Sequence, residues 1–136
     1  MKINILVVDN DKSLLQVLFA FLSKDDQFNI LTAPDGKEAL GIAKNTKIDL
    51  VIVDLRMPEI SGAELLSTLH KEFPGIKSII LTGHMGIDSY IETMEIGAHE
   101  YLNKPVDLIL LKKVINKLIQ WESPFFFNLV FYILLH

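Results

Sequence analysis

Apolar residues along the chain follow two alternating rhythms. Short, mostly aliphatic runs at residues 3–8, 29–33, 50–53, 78–81 and 100–102 predict strands. The first, third and fourth are almost wholly aliphatic, as expected of strands in a parallel sheet covered on both faces. Between the first two, Leu14, Leu15, Leu18, Phe21 and Leu22 repeat at helical spacing and predict one greasy stripe laid on a sheet. Asp35 with Glu38 and Ser61 with Glu64 have the offset of a capping box, which marks two helix starts. Asp11 reads as the cap of the first helix, and Gly97 sits where another helix would stop in a left-handed turn. Asp107, after Pro105, can cap a last helix whose Leu110, Leu111, Val114, Ile115 and Leu118 face inward. Alternating strands and helices with short joints require right-handed crossovers, hence an α/β fold with a doubly wound, five-stranded parallel sheet. In such sheets ligands gather beyond the carboxyl ends of the strands.

Composition narrows the class. A chain of 136 residues fits one domain, and the absence of cysteine excludes disulfide scaffolds, thiolate zinc sites and thiol catalysis. Thirteen Lys plus Arg against 17 Asp plus Glu give a net charge of −4, so no broad field exists for a polyanion and direct nucleic-acid binding is not expected. Although 50% of residues are hydrophobic, no run reaches the roughly 18 needed to cross a bilayer. The start of the chain lacks the pattern of a signal peptide, and a cytoplasmic location is the simplest expectation.

The strand ends carry the candidate chemistry: Asp9, Asn10 and Asp11 after the first, Asp54 after the third, Thr82 after the fourth, Lys104 and Pro105 after the fifth. Two carboxylates on adjacent central strands repel by roughly several kcal/mol at low effective dielectric, so a cation belongs between them. Oxygen ligands of this kind suit Mg²⁺, which takes one or two carboxylates, waters and a phosphate. No glycine-rich phosphate loop occurs. A hydroxyl at Thr82 and an ammonium at Lys104 would stabilise a transferring phosphoryl group, with a carboxylate as acceptor. Taken singly, each residue has a plainer reading as a helix cap, a strand-end hydroxyl or a solvated lysine.

The segments Ile5-Leu6-Val7-Val8-Asp9-Asn10-Asp11, Asp54-Leu55-Arg56-Met57-Pro58-Glu59-Ile60-Ser61-Gly62, Leu81-Thr82-Gly83-His84 and Gly97-Ala98-His99-Glu100-Tyr101-Leu102-Asn103-Lys104-Pro105 resemble those of response-regulator receiver domains, which are CheY-like. The resemblance runs from about residue 2 to 120 and implies a flavodoxin-like sheet of order 2-1-3-4-5. It implies a phosphorylation-activated switch of a two-component phosphorelay, not a turnover enzyme on an external substrate. Asp54 becomes the phospho-acceptor, Thr82 the switch hydroxyl and Lys104 the phosphoryl-binding cation, with a cis bond to Pro105. Mg²⁺ would be held by Asp9, Asn10, Asp54 and the Arg56 carbonyl. Tyr101 becomes the aromatic that changes rotamer, while Arg56 and His84 flank the pocket. Implied partners are a histidine kinase or phosphotransfer protein, and a downstream effector at the surface of the fourth helix, fifth strand and fifth helix. One departure stands out: Asn10 occupies a position where the family usually has a second acid, which predicts weaker Mg²⁺ binding.

The receiver is assigned to residues 1–121 and an apolar tail to 122–136. Ser123-Pro124 is expected to end the last helix, after which Phe125 to Leu135 is apolar except at Asn128. As a helix this tail would span about 16 Å, too short for a bilayer. Homodimer burial, docking on another protein and an adventitious remnant all fit it. Two rival functions are weighed. Asp9-Asn10-Asp11 resembles the D-x-D of haloacid-dehalogenase phosphatases, with Asp9 as nucleophile, but this leaves the segment after Asp54 unexplained. The other rival is a degenerate receiver that only binds proteins. His70, His84, His99 and His136 show no metal-ligand spacing and read as surface or strand-end residues.

Overall fold

The computed structural model describes residues 2–83, 86–120 and 131–136. Its elements run Ile3–Val8 (β1), Lys12–Leu22 (α1), Phe28–Ala33 (β2), Gly36–Asn45 (α2), Leu50–Val53 (β3), Gly62–Glu72 (α3), Lys77–Thr82 (β4), Ile87–Ile96 (α4), Glu100–Asn103 (β5) and Leu108–Gln120 (α5). The five strands form one parallel sheet of order β2-β1-β3-β4-β5, the flavodoxin-like arrangement. Strands β2, β4 and β5 each extend by one or two residues beyond the apolar runs. Lys77 joins β4 although it is charged, since most of its side chain is buried.

The helix starts follow from capping chemistry. Asp11, Asp35 and Ser61 each accept a backbone N–H from Leu14, Glu38 and Glu64, at 3.2, 2.8 and 3.1 Å. Gly97 ends α4 at φ 111°, a left-handed conformation that favours glycine. One face of the sheet, with Leu6, Val8, Val51, Val53 and Ile80, shares a core cluster with Leu65, Leu66 and Leu69 of α3 and Ala39 and Ala43 of α2.

By contact the chain divides into two units, residues 1–106 and 107–136. In the second, Asp107 accepts the Leu110 N–H at 3.0 Å, and Leu111, Val114, Ile115 and Leu118 are buried. Leu110 departs from the expected inward stripe, being 46% exposed. Residues 131–135 are helical, and Phe131 through Leu135 are all exposed. The expected helix end at Ser123-Pro124 and the tail through residue 130 lie outside the described residues. No helix among the described residues is long and apolar enough to cross a membrane.

The register dictates which strand ends meet. Val8 pairs with Val53, so Asp9 and Asp54 follow side by side on β1 and β3. Val53 pairs with Ile80 and Thr82 with Asn103, which brings Thr82 and Lys104 to the same edge.

Candidate functional site

Asp9 and Asp54 are buried, 2% and 7% exposed respectively, at the carboxyl ends of neighbouring central strands. Lys104 reaches both: its Nζ lies 2.7 Å from Asp9 Oδ2 and 3.5 Å from Asp54 Oδ2. The other oxygen of Asp9 accepts the Asp11 N–H at 2.8 Å, whereas that of Asp54 has, among the described residues, only a long contact of 3.4 Å from the Arg56 N–H. Asp9 is therefore held firmly, and Asp54 is the looser and more exposed of the two carboxylates. Thr82, 1% exposed, closes β4 and accepts the Lys104 N–H on its carbonyl at 2.8 Å. The bond from Lys104 to Pro105 is cis.

Electrostatics at this end are unbalanced. Burial raises the pKa of Asp54, and the Asp9 carboxylate raises it further; Lys104 and the Arg56 N–H pull the other way without cancelling the rise. Burial pulls Lys104 down, but its bond to Asp9 and the two nearby carboxylates outweigh that and leave it above the usual lysine range. Two carboxylates face one ammonium, which leaves an uncompensated negative charge. This donor set is hard oxygen, the kind that takes a partly hydrated Mg²⁺. Among the described residues no group of three or more His, Cys, Asp or Glu side chains converges, here or elsewhere, so at this end the acid donors are the two carboxylates alone. Asn10 directly follows Asp9 and Arg56 stands two residues after Asp54; both are exposed. His84 lies outside the described residues.

The loop from β3 to α3 carries a feature that motif reading missed. The Gly62 N–H donates to Leu55 O at 2.9 Å, and a Cβ on Gly62 would come within 2.1 Å of Asp54 O. Glu59 in the same loop has φ 66°, a strained choice for a residue other than glycine. The chain thus folds tightly back on the Asp54 backbone and fixes where that carboxylate stands. A glycine at the first position of a helix, where it is a poor helix former, is the sequence signal for this contact.

Tyr101 on β5 is half-buried against the core cluster, and Tyr90 of α4 meets it edge-on at 5.5 Å and 79°. Gly86, Ile87, Tyr90, Tyr101 and Asn103 line a cavity of about 310 Å³ there. A third polar group lies at the opposite end of the sheet. His70 Nε2 is 3.1 Å from Ser78 Oγ, and His99 Nδ1 accepts the Ser78 N–H at 3.1 Å. Both rings are partly buried; His99, just ahead of β5, is a strand-end histidine as expected, whereas His70, half-buried on α3, departs from the expectation.

Comparison with known proteins agrees with this architecture. The response regulator receiver domain model matches residues 5–116. The chain is 36% identical over 121 residues to the transcriptional regulatory protein GlrR of Escherichia coli K12, covering 89% of this chain and 27% of that protein. It is 34% identical over 116 residues to ZraR of Salmonella typhimurium, covering 85% and 26% respectively. Among solved structures, a CheY-like receiver domain from Methanospirillum hungatei superposes with TM-score 0.82 at 31% identity, over 90% of this chain and 98% of that one. A receiver domain from Clostridium thermocellum gives 0.81 at 38% identity, over 88% and 96%. With its parallel sheet and paired acids at the strand ends, the chain belongs to the response-regulator receiver family, a signalling module of two-component systems. It spans about a quarter of the length of the curated transcriptional regulators named above.

Proposed function

We propose that this chain receives a phosphoryl group on Asp54 from the phosphohistidine of a histidine kinase or phosphotransfer protein. An Asp54 oxygen attacks phosphorus while the bond to the donor imidazole nitrogen breaks; the electron pair stays with the imidazole, which takes up a proton. Lys104 and the Thr82 hydroxyl stabilise the charge on the phosphoryl oxygens during transfer. Mg²⁺, when held by Asp9, Asp54, Asn10 and the Arg56 carbonyl, supplies the positive charge that lets two carboxylates and a phosphoryl group share the site. The observation that carries this reading is the Asp9–Lys104–Asp54 geometry, with Asp54 the less restrained acid. The same contrast favours Asp54 over Asp9 as nucleophile, against the phosphatase alternative.

The output is proposed to run through Thr82 and Tyr101. Engagement of Thr82 by the phosphoryl group shifts the balance between Tyr101 rotamers, and with it the α4–β5 surface. Beside Tyr101, α4 exposes Ile87, Tyr90 and Ile91, and next to these Asp88, Glu92 and Glu95. An apolar stripe edged by acids suits a partner segment with an apolar anchor and Lys or Arg around it. The relatives are transcriptional regulators; regulation of transcription is proposed here through a partner or a further segment, because a chain of net charge −4 offers no field for DNA.

Incubation with Mg²⁺ and acetyl phosphate, read by intact mass, tests the first step. Wild type gains one phosphoryl group, mapped to Asp54, and Asp54→Asn gains none. A label on Asp9 would establish the phosphatase reading, and no gain on wild type the degenerate receiver.

A further inference from the structure

At the amino end of β4 and β5 an imidazole does the work of a main-chain carbonyl. The parallel ladder pairs Ile79 with Glu100 and onward. One residue earlier the His99 N–H donates to Ser78 O at 3.0 Å, but the return bond runs from the Ser78 N–H to His99 Nδ1, at 3.1 Å. Ser78 is 0% exposed, so its amide has no recourse to water. An amide hydrogen is fixed in direction, so Nδ1 must keep its lone pair and the neutral ring carries its proton on Nε2. Ser78 Oγ stands between the two rings, 3.1 Å from His70 Nε2 and 3.4 Å from His99 Nδ1. Donation from His70 Nε2 to Oγ, and from the hydroxyl toward Nδ1, satisfies the group with both rings neutral.

The two rings differ in what a proton does to them. A protonated His70 still donates from Nε2 to Ser78. A protonated His99 presents Nδ1–H to the Ser78 N–H, donor against donor, and a buried amide loses its acceptor. The rings lie 6.0 Å apart, so a second charge there would also be repelled, and burial already holds His70 below the usual histidine range. Lys77 and Glu100 alternate to the opposite face of the sheet. Lys71 and Glu72 on α3 and Glu95 on α4 are exposed. Val51 is the β3 residue opposite Ser78.

We infer that His99 is a proton-sensitive latch: neutral, it closes the first rung between β4 and β5; protonated, it releases the amino end of β5. That strand carries Tyr101 and leads into Lys104, so release loosens the element on which both are mounted. The latch stands apart from phosphorylation, while its effect on signalling rests on the function proposed above.

Amide exchange and ¹⁵N chemical shifts of the full chain test it, from neutral to mildly acidic pH. Ring ¹⁵N shifts at neutral pH will report the Nε2–H tautomer of His99; the Nδ1–H tautomer would overturn the inference without any variant. On acidification the Ser78 protection factor falls by about tenfold, as a local opening would require. His99→Asn places an oxygen where Nδ1 stands and has no proton to gain, so Ser78 protection becomes independent of pH. His70→Gln keeps a donor at the ε position and leaves the Ser78 response in place. A Ser78 amide equally protected at both pH values, or a His99→Asn variant with the wild-type response, would refute the latch. Phosphoryl uptake by intact mass is read in parallel: loss of uptake with the latch present counts against the function, not against His99.

Discussion

At the carboxyl end of the sheet Asp9 and Asp54 are buried around one ammonium, whereas at the amino end of β4 Ser78 is buried between two imidazoles that satisfy its hydroxyl and its amide. Both clusters join residues distant in the chain, and both lie at ends of strands whose middles are aliphatic. Their electrostatics differ in kind. In the histidine cluster the Ser78 amide and hydroxyl both find ring partners. The acid cluster retains a negative charge and raises the pKa of Asp54, an expense that the fold alone would not require. Unbalanced charge held in place suits the cation binding and phosphoryl transfer proposed above; paired polar groups suit a structural joint, the one we infer a proton to disturb.

The largest effect separating the two ends is expected from Asp54→Asn. Phosphoryl uptake is lost altogether, yet the protein becomes more stable at neutral pH. The sign follows from the raised pKa of Asp54 in the fold, which means that the folded chain holds this proton more tightly than the unfolded one. The wild-type penalty is absent below the unfolded value of 3.8, grows as pH rises toward the folded value, and is complete above it. Thermal melts of wild type and variant should therefore diverge at neutral pH and converge in acid. A variant that is less stable than wild type at neutral pH would show that Asp54 is a structural acid.

Removing the ammonium acts in the opposite direction. Lys104→Met leaves two buried carboxylates facing each other and should cost about 1–3 kcal/mol at neutral pH, less than for a fully buried pair because Lys104 keeps some solvent. Adding Asp54→Asn to this variant should recover part of that loss, a coupling that a double-mutant cycle measures directly. Phosphoryl uptake by Lys104→Met should fall by roughly 10², the usual effect of losing one donor to developing charge. Additive stabilities would mean that the two side chains do not sense each other.

Much of the scaffold could be read from local patterns, because caps and strand ends are local events. Asp11, Asp35, Ser61 and Asp107 all cap the helices expected of them, and Gly97 ends α4. The acid site was readable for a related reason: parallel strands align their ends, so residues following aliphatic runs arrive together. Leu110 shows where local pattern fails. The run Leu108-Ile109-Leu110-Leu111 is apolar at every position, so periodicity leaves the phase of α5 undetermined, and Ile109 and Leu110 turn outward. The histidine joint was hidden because His70, Ser78 and His99 come from α3, β4 and the turn ahead of β5, and no spacing in the chain announces that they meet.

The contact between Gly62 and Asp54 gives a smaller and more local test of how tightly the acid end is built. Gly62→Ala pushes a methyl group against the Asp54 carbonyl, where only backbone movement can relieve it. A loss of about 1–3 kcal/mol is expected, as for overpacking elsewhere. Phosphoryl uptake should slow with it, while Ser78 protection at the far end stays unchanged. Uptake at the wild-type rate would mean that the loop does not fix the Asp54 carboxylate.

The smallest expected change concerns Asn10, and it probes the charge imbalance itself. Asn10 is exposed, so an acid placed there would be well solvated and would add little to the repulsion between Asp9 and Asp54. It would still follow Asp9 directly in the chain, and a divalent cation held nearby gains from every further negative charge. Asn10→Asp should thus leave the melting temperature without Mg²⁺ nearly unchanged. It should raise Mg²⁺ affinity by roughly three- to tenfold, equivalent to about 1 kcal/mol, in a titration followed by calorimetry. Equal or weaker binding by the variant would show that Asn10 takes no part in the cation site.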